Sequence, residues 1–339
     1  MRGPGARRQR PSFRLLPLFV LIAVLTVTAL AAVGTGPAVA APGPRAPFAV
    51  GVRTATFVDT TRPTPAVAAS GLPADPQRTI AVTAWYPARG SATTEPTANA
   101  RPATGRFPLV VWAHGNSAHG STPPPVVRQW ATAGYVVVAP DFPVSSRVKG
   151  LLDAIDDWAA QPGDVRFVLD QASRRSAFAG LGRSIDARHV GLAGHSLGAI
   201  TVLATAYGPD PDPRVDAVIS LSGVPLLPGT DVASRPTPLL LIHSDNDGTV
   251  PYAQSTAMFA AATGPHWLIT VNGGGHSPFL YQPDAPTATM LDTATQAFWD
   301  AYLHGNGAAT DRIAAVAVPD RFVVAVGSSS TPHTTSTTG

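Results

Sequence analysis

Six short apolar runs recur along the chain, at 108–113, 135–139, 190–193, 215–221, 239–242 and 267–271. Runs this short are poor core helices and suit strands buried on both faces. Helical segments fall between and after them. One spans 124–133 and opens on proline, where the missing N–H does no harm. Others span 150–175, with a break at Pro162 and Gly163, then 197–207, 252–262 and 287–304. In the last, Met290, Leu291, Ala294, Ala297, Phe298 and Ala301 share one face. Strands alternating with helices build βαβ units. The sequence therefore predicts an α/β fold, with a mostly parallel central sheet and helices on both faces. A further strand is expected at 79–86, where Ile80, Val82 and Ala84 alternate with polar or small residues. The folded domain is expected over 79–326, ending in a short strand at 321–326 with no assigned place. Residues 41–78 read as an extended lead-in, 88–106 as a surface loop, and 327–339 as a disordered Ser/Thr-rich tail.

The first 40 residues read as an address. Five arginines and no acid precede or flank an apolar run at 15–33, and Ala38-Val39-Ala40 follows. This is the basic, apolar and small-residue order of a secretory signal, with cleavage expected after Ala40. The alternative is an anchor helix of residues 15–33, nearly long enough to span a bilayer. The same arginines account for the formal net charge of +3. The remaining chain holds 19 basic against 21 acidic residues, so it has no electrostatic footprint for nucleic acid. With no cysteine, a disulfide scaffold, a thiolate metal site and a Cys nucleophile are excluded. No H-x-x-x-H spacing or carboxylate cluster points to a metal. No cofactor is expected, and the oligomeric state is left open.

Gly194-His195-Ser196-Leu197-Gly198 is G-x-S-x-G. It closes an apolar strand and opens a helix, the setting this motif requires. The two glycines leave room in a turn too tight for side chains, and Ser196 projects its hydroxyl at the sheet edge. A serine needs a base to become a nucleophile. Of the nine histidines, His276 is the best placed, because Gly273-Gly274-Gly275 frees the backbone to deliver it across the edge. His114 is read as structural, bracing neighbouring loops. An acid must orient His276 and stabilise its charged form, and in the loop after the 239–242 run both Asp245 and Asp247 could serve. Oxyanion donors are expected from the backbone N–H of Leu197 and, in the loop after the first central strand, of Asn116.

These residues resemble the α/β-hydrolase superfamily over about 79–304. Within it the chain is similar to the dienelactone hydrolase, platelet-activating-factor acetylhydrolase and chlorophyllase-like group. The resemblance is carried by Trp85-Tyr86-Pro87, FPLVVWAHG at 107–115, GYVVVAPDF at 134–142, GLAGHSLG at 191–198 and the His276 loop. It implies an α/β-hydrolase fold and a Ser196, His276, Asp247 triad without a cofactor. Asp247 is favoured because Asp-x-x-Val-Pro is the usual form of the acid loop there, which leaves Asp245 shaping the loop. The implied activity is that of a serine esterase or lipase-like hydrolase acting on a small-molecule or lipid ester through an acyl-enzyme, and the leader adds that it is secreted. Polyester hydrolysis and acyl transfer are alternatives on the same triad. A non-catalytic binding protein on a hydrolase scaffold is the alternative of another class. The 143–186 segment is expected to cover the pocket, with Val144, Leu151, Leu152, Ile155 and Trp158 as candidates to line an acyl site.

Overall fold

A computed structural model describes residues 46–327 except residue 151. The basic and apolar leader at 1–40 and the tail from 328 lie outside the described residues. The strands are β1 (Ala49–Asp59), β2 (Arg78–Ala88), β3 (Thr93–Ala98), β4 (Phe107–Ala113), β5 (Val136–Asp141), β6 (Ile185–His195), β7 (Val215–Leu221), β8 (Leu239–Ser244), β9 (His266–Val271) and β10 (Phe322–Val326). The helices are α1 (Pro125–Thr132), α2 (Ile155–Trp158), α3 (Gln161–Ala172), α4 (Ala177–Gly180), α5 (Leu197–Tyr207), α6 (Ala253–Ala261), α7 (Pro278–Tyr281), α8 (Ala285–Leu303) and α9 (Asp311–Ala314). The six apolar runs lie in strands, apart from Tyr135, which stands one residue before β5, and the strands β4 to β9 pair in parallel as the alternation requires.

The sheet order is β10-β9-β8-β7-β6-β4-β5-β2-β1-β3. Successive residues of β4 face opposite layers, and both layers are covered. Leu109 and Val111 pack in the core that holds Val165 and Val168 of α3 and Val202 and Leu203 of α5. Val110 and Trp112 belong to the core that holds Val127 and Trp130 of α1 and Met290 and Phe298 of α8. Helix α5 is buried along its whole length, which its uniformly apolar and small residues permit.

Three segments differ from the sequence reading. Residues 41–78 do not merely lead in, because β1 pairs antiparallel with β2 along its whole length. The loop at 88–106 contains β3, an exposed, Thr-rich strand beside β1. Pro162 starts α3 rather than breaking a helix, since it stands in the first turn where no intrahelical N–H is needed. The last strand, β10, takes the edge beside β9 in antiparallel register. Among the described residues no helix is long and apolar enough to cross a membrane.

The chain passes from β4 to β5 on one side and then returns to β6 on the other side of β4. Ala113 and Gly194, at the carboxyl ends of β4 and β6, are direct partners. In open α/β sheets such a reversal leaves a crevice outside the strand ends, where ligands bind.

A buried ion network ties the helices after β5 to the antiparallel side of the sheet. The Arg78 guanidinium on β2 donates to Asp164 at 2.5 and 2.6 Å and to Asp157 at 2.6 and 2.9 Å. All three side chains are essentially inaccessible. Burial opposes the Arg78 charge, but its hydrogen bonds to the Asp164 and Asp157 carboxylates outweigh that and raise its pKa. Removing one partner of such a network strands the others without compensation. Arg78→Met is therefore expected to cost about 3–5 kcal/mol of folding stability, read from urea unfolding. Adding Asp157→Asn and Asp164→Asn should restore part of it. A single variant as stable as wild type would show that the network carries no weight.

Candidate active site

The strand-to-helix turn at Ser196 is strained in the way its sequence demands. Ser196 holds φ 54° and ψ −120°, a conformation costly for a residue with a side chain. A Cβ on Gly194 would stand 2.3 Å from the Gly198 carbonyl oxygen, and one on Gly198 would stand 2.0 Å from the Ala113 carbonyl oxygen. Only glycine lets the elbow press this closely on β4.

His276 arrives from the loop after β9. Gly273 and Gly275 adopt φ of 71° and 66°, and three consecutive residues after β8 hold the loop. Asp245 Oδ1 accepts the Gly273 N–H at 2.8 Å, and Asn246 Oδ1 accepts the Gly275 N–H at 2.7 Å. Asp247 Oδ2 lies 2.7 Å from His276 Nδ1. His276 Nε2 then lies 2.9 Å from Ser196 Oγ. From behind, His195 Nε2–H donates to the His276 carbonyl at 2.9 Å, and Ser222 Oγ donates to it at 3.3 Å. The structure thus brings Ser196, His276 and Asp247 into one hydrogen-bonded line. Asp245 stands apart from His276 and shapes its loop.

The electrostatics follow from burial and donors. The Asp247 carboxylate has no exposed side-chain surface. Burial pushes its pKa up, but the hydrogen bonds from His276 and from the Val250 and Thr249 N–H groups outweigh that and hold it below the usual value. Those amides meet Oδ1 at 2.9 and 2.8 Å. His195 is lowered to about 4 by burial, so it is a neutral donor at ordinary pH. His114 is also lowered to about 4 by burial. Its Nδ1–H donates to the Gly115 carbonyl at 2.7 Å and its Nε2 accepts the Phe142 N–H at 3.1 Å, which braces the loop after β4 against the end of β5.

No protein-family model and no curated protein matches the chain. Among solved structures it is similar to a ferulic acid esterase from Streptomyces cinnamoneus, at 25% identity and a TM-score of 0.60, over 79% of this chain and 93% of that one. The chain has the α/β-hydrolase fold. In this α/β-hydrolase fold a cavity of about 430 Å³ opens over Ser196 and His276. Its walls include Asn116, Lys149, Thr249 and Tyr281. Leu197 is the first residue of α5, where an N–H has no intrahelical acceptor. Its side chain turns into the core. Among the described residues neither the Leu197 nor the Asn116 N–H donates to a loop or turn carbonyl.

The acyl-site candidates need correction. Val144 and Trp158 are buried with Leu197 and Ile200 in a small core beside the elbow helix, while Leu152 and Ile155 are largely exposed. Leu151 lies outside the described residues. None of the four described residues lines the cavity. The 143–186 segment reaches it through Lys149 instead. Ser117 Oγ ties it down by donating to the Val148 and Lys149 carbonyls at 2.7 and 3.1 Å.

Two histidines beyond His276 support the site and were not assigned a role from sequence. His195 fills the x of G-x-S-x-G, and its ring packs 4.9 Å from that of His276. His243 lies within β8, and its Nε2 is 3.0 Å from Asp247 Oδ2. The available signal was a polar ring interrupting an apolar strand just before the acid loop.

Proposed function

We propose that the protein is an exported serine esterase that cleaves carboxylic esters through an acyl-enzyme. The observation that carries this is the line from Asp247 through His276 to Ser196, opening on a cavity at the carboxyl ends of the strands. In the hydrogen-bond pattern, His276 Nδ1–H donates to the Asp247 carboxylate, which leaves Nε2 to accept the Ser196 hydroxyl proton. Ser196 Oγ attacks the ester carbonyl carbon as His276 Nε2 takes its proton. The carbonyl oxygen becomes an oxyanion and is received by the Asn116 and Leu197 N–H groups. Collapse breaks the bond to the alcohol, which leaves with the proton from His276. Water then repeats the sequence on the acyl-enzyme and frees Ser196. Asp247 keeps its charge throughout and stabilises the imidazolium.

Two further points support the reading. The similar solved structure is that of a ferulic acid esterase, which makes aromatic acyl esters a first class to test. The motifs around Trp85, the end of β4 and the elbow also resemble the dienelactone hydrolase and acetylhydrolase group. The deciding experiment is a panel of p-nitrophenyl esters from acetate to palmitate, with a ferulate ester, a phospholipid and an amide. Turnover of at least one carboxylic ester, together with fluorophosphonate labelling at Ser196 alone, is expected. Labelling at another residue, or turnover of the amide alone, would overturn the assignment.

The leader carries the export part of the reading. Secreted protein is expected to begin near Ala41, as read by N-terminal sequencing. Recovery of residues 15–33 in a membrane fraction would instead make them an anchor.

A further inference from the structure

His243 is an unusual residue for its place. Its neighbours in β8, Leu239 to Ile242, are apolar and fully buried, and its own side chain is inaccessible. A polar ring in such a place is costly unless both nitrogens find partners. Nδ1 lies 2.7 Å from Ser255 Oγ on α6. Nε2 lies 3.0 Å from Asp247 Oδ2 and 3.1 Å from the Val250 carbonyl oxygen. Both groups facing Nε2 are acceptors, so Nε2 carries the proton and Nδ1 accepts the Ser255 hydroxyl. Burial lowers the pKa of the ring, which keeps it neutral.

The oxygen that His243 meets is the one that meets His276. Asp247 Oδ2 receives both imidazoles, while Oδ1 receives the Thr249 and Val250 amides. Those amides belong to the same loop as Asp247 and move with it. Asp245, Gly248 and Thr249 of that loop are exposed. Among the described residues His243 is the carboxylate's only side-chain partner on the sheet itself. Its ring is in turn oriented by α6 through Ser255.

We propose that His243 is a positioning residue, a neutral buried donor that pins Asp247 Oδ2 in line with His276 Nδ1. The proposal rests on the Ser196–His276–Asp247 reading above. Neutrality matters to it. A cation here would pair with Asp247 and drain the charge that stabilises the His276 imidazolium, whereas an apolar residue would let the carboxylate swing. The path runs from α6 through Ser255, His243, Asp247 and His276 to Ser196, each step a single hydrogen bond.

The test compares His243→Phe, His243→Gln and Ser255→Ala on a p-nitrophenyl ester, with each preparation counted by fluorophosphonate titration so that misfolded protein is excluded. His243→Phe is expected to lower kcat per titrated site by about 10- to 100-fold with KM little changed, the scale of a misplaced catalytic group. His243→Gln, whose amide N–H reaches the same position, is expected to recover most of that loss. Ser255→Ala is expected to lower kcat by less than His243→Phe, and it carries the test alone should His243→Phe fail to fold. In an Asp247→Asn background, His243→Phe should add nothing, because the effect passes through the acid. A kcat per site within about twofold of wild type in His243→Phe, or in Ser255→Ala where that variant stands alone, overturns the proposal. So does an undiminished effect of His243→Phe in the Asp247→Asn background. Ser196→Ala is run beside them. If it keeps ester activity, the failure lies in the triad reading and not in His243.

Discussion

Ser196→Ala is expected to lower kcat for ester hydrolysis by about 10⁶, with the protein still folded. The loss is nearly complete because the hydroxyl is the only atom His276 Nε2 meets in the cavity among the described contacts, at 2.9 Å. Without it the base has no proton to take and no acyl-enzyme forms. On the proposed mechanism what survives is catalysis by the amides of Asn116 and Leu197, about 10³–10⁴ over water in comparable sites. The fold should survive because the change removes one oxygen at a half-buried position. Alanine inherits the φ of 54° without adding bulk to the turn. The lost hydrogen bond to His276 is worth about 1 kcal/mol, so thermal melts should move by only a few degrees. Turnover of p-nitrophenyl acetate and melting of the same preparation check both halves. Activity within about tenfold of wild type would remove Ser196 from the chemistry.

The parts of this fold that were legible are those buried on two sides. β4 to β9 write themselves as continuous apolar runs because both faces meet helices. β1 was missed for the opposite reason. After three buried residues it runs between half-buried and exposed positions, with Arg53 half-buried and Thr54 and Thr56 exposed, inside a segment dominated by Pro, Ala and Thr. β3 buries none of its residues and so leaves no pattern to read. At the proposed site, Ser196 and His276 stand out in the sequence because glycines mark the backbone that each needs. The Arg78 network was not, since its members lie 79 and 86 residues apart and only the fold makes them partners. The misplaced acyl site has a similar cause. An apolar face on a helix says that it is buried, not what buries it. Val144 and Trp158 are buried beside the elbow rather than on the cavity.

Asp247→Asn is expected to lower kcat by about 10⁴, and Asp245→Asn to change it little. The difference follows from what each carboxylate accepts. Asp247 receives four donors, with the His276 and His243 rings on Oδ2 and the Thr249 and Val250 amides on Oδ1. Asparagine has one acceptor oxygen. The backbone N–H groups cannot turn their protons away, so that oxygen stays with them and the NH₂ group faces the two imidazoles. His243 can respond by moving its proton to Nδ1, where Ser255 Oγ accepts it. His276 must do the same in reverse of its working state, with Nδ1 bare and the proton on Nε2. Nε2 then points a proton at Ser196 and cannot take one. The base is lost through its tautomer, with Ser196, His276 and the cavity all still in place. Asp245 is exposed on the same loop, and among the described residues its side chain accepts only the Gly273 N–H, through Oδ1. An asparagine there keeps that oxygen, so the glycine loop and His276 stay where they are. Measuring kcat for both variants beside their melting temperatures separates the two acids. A folded Asp245→Asn variant that loses more kcat than Asp247→Asn would move the acid to Asp245 and end the tautomer argument.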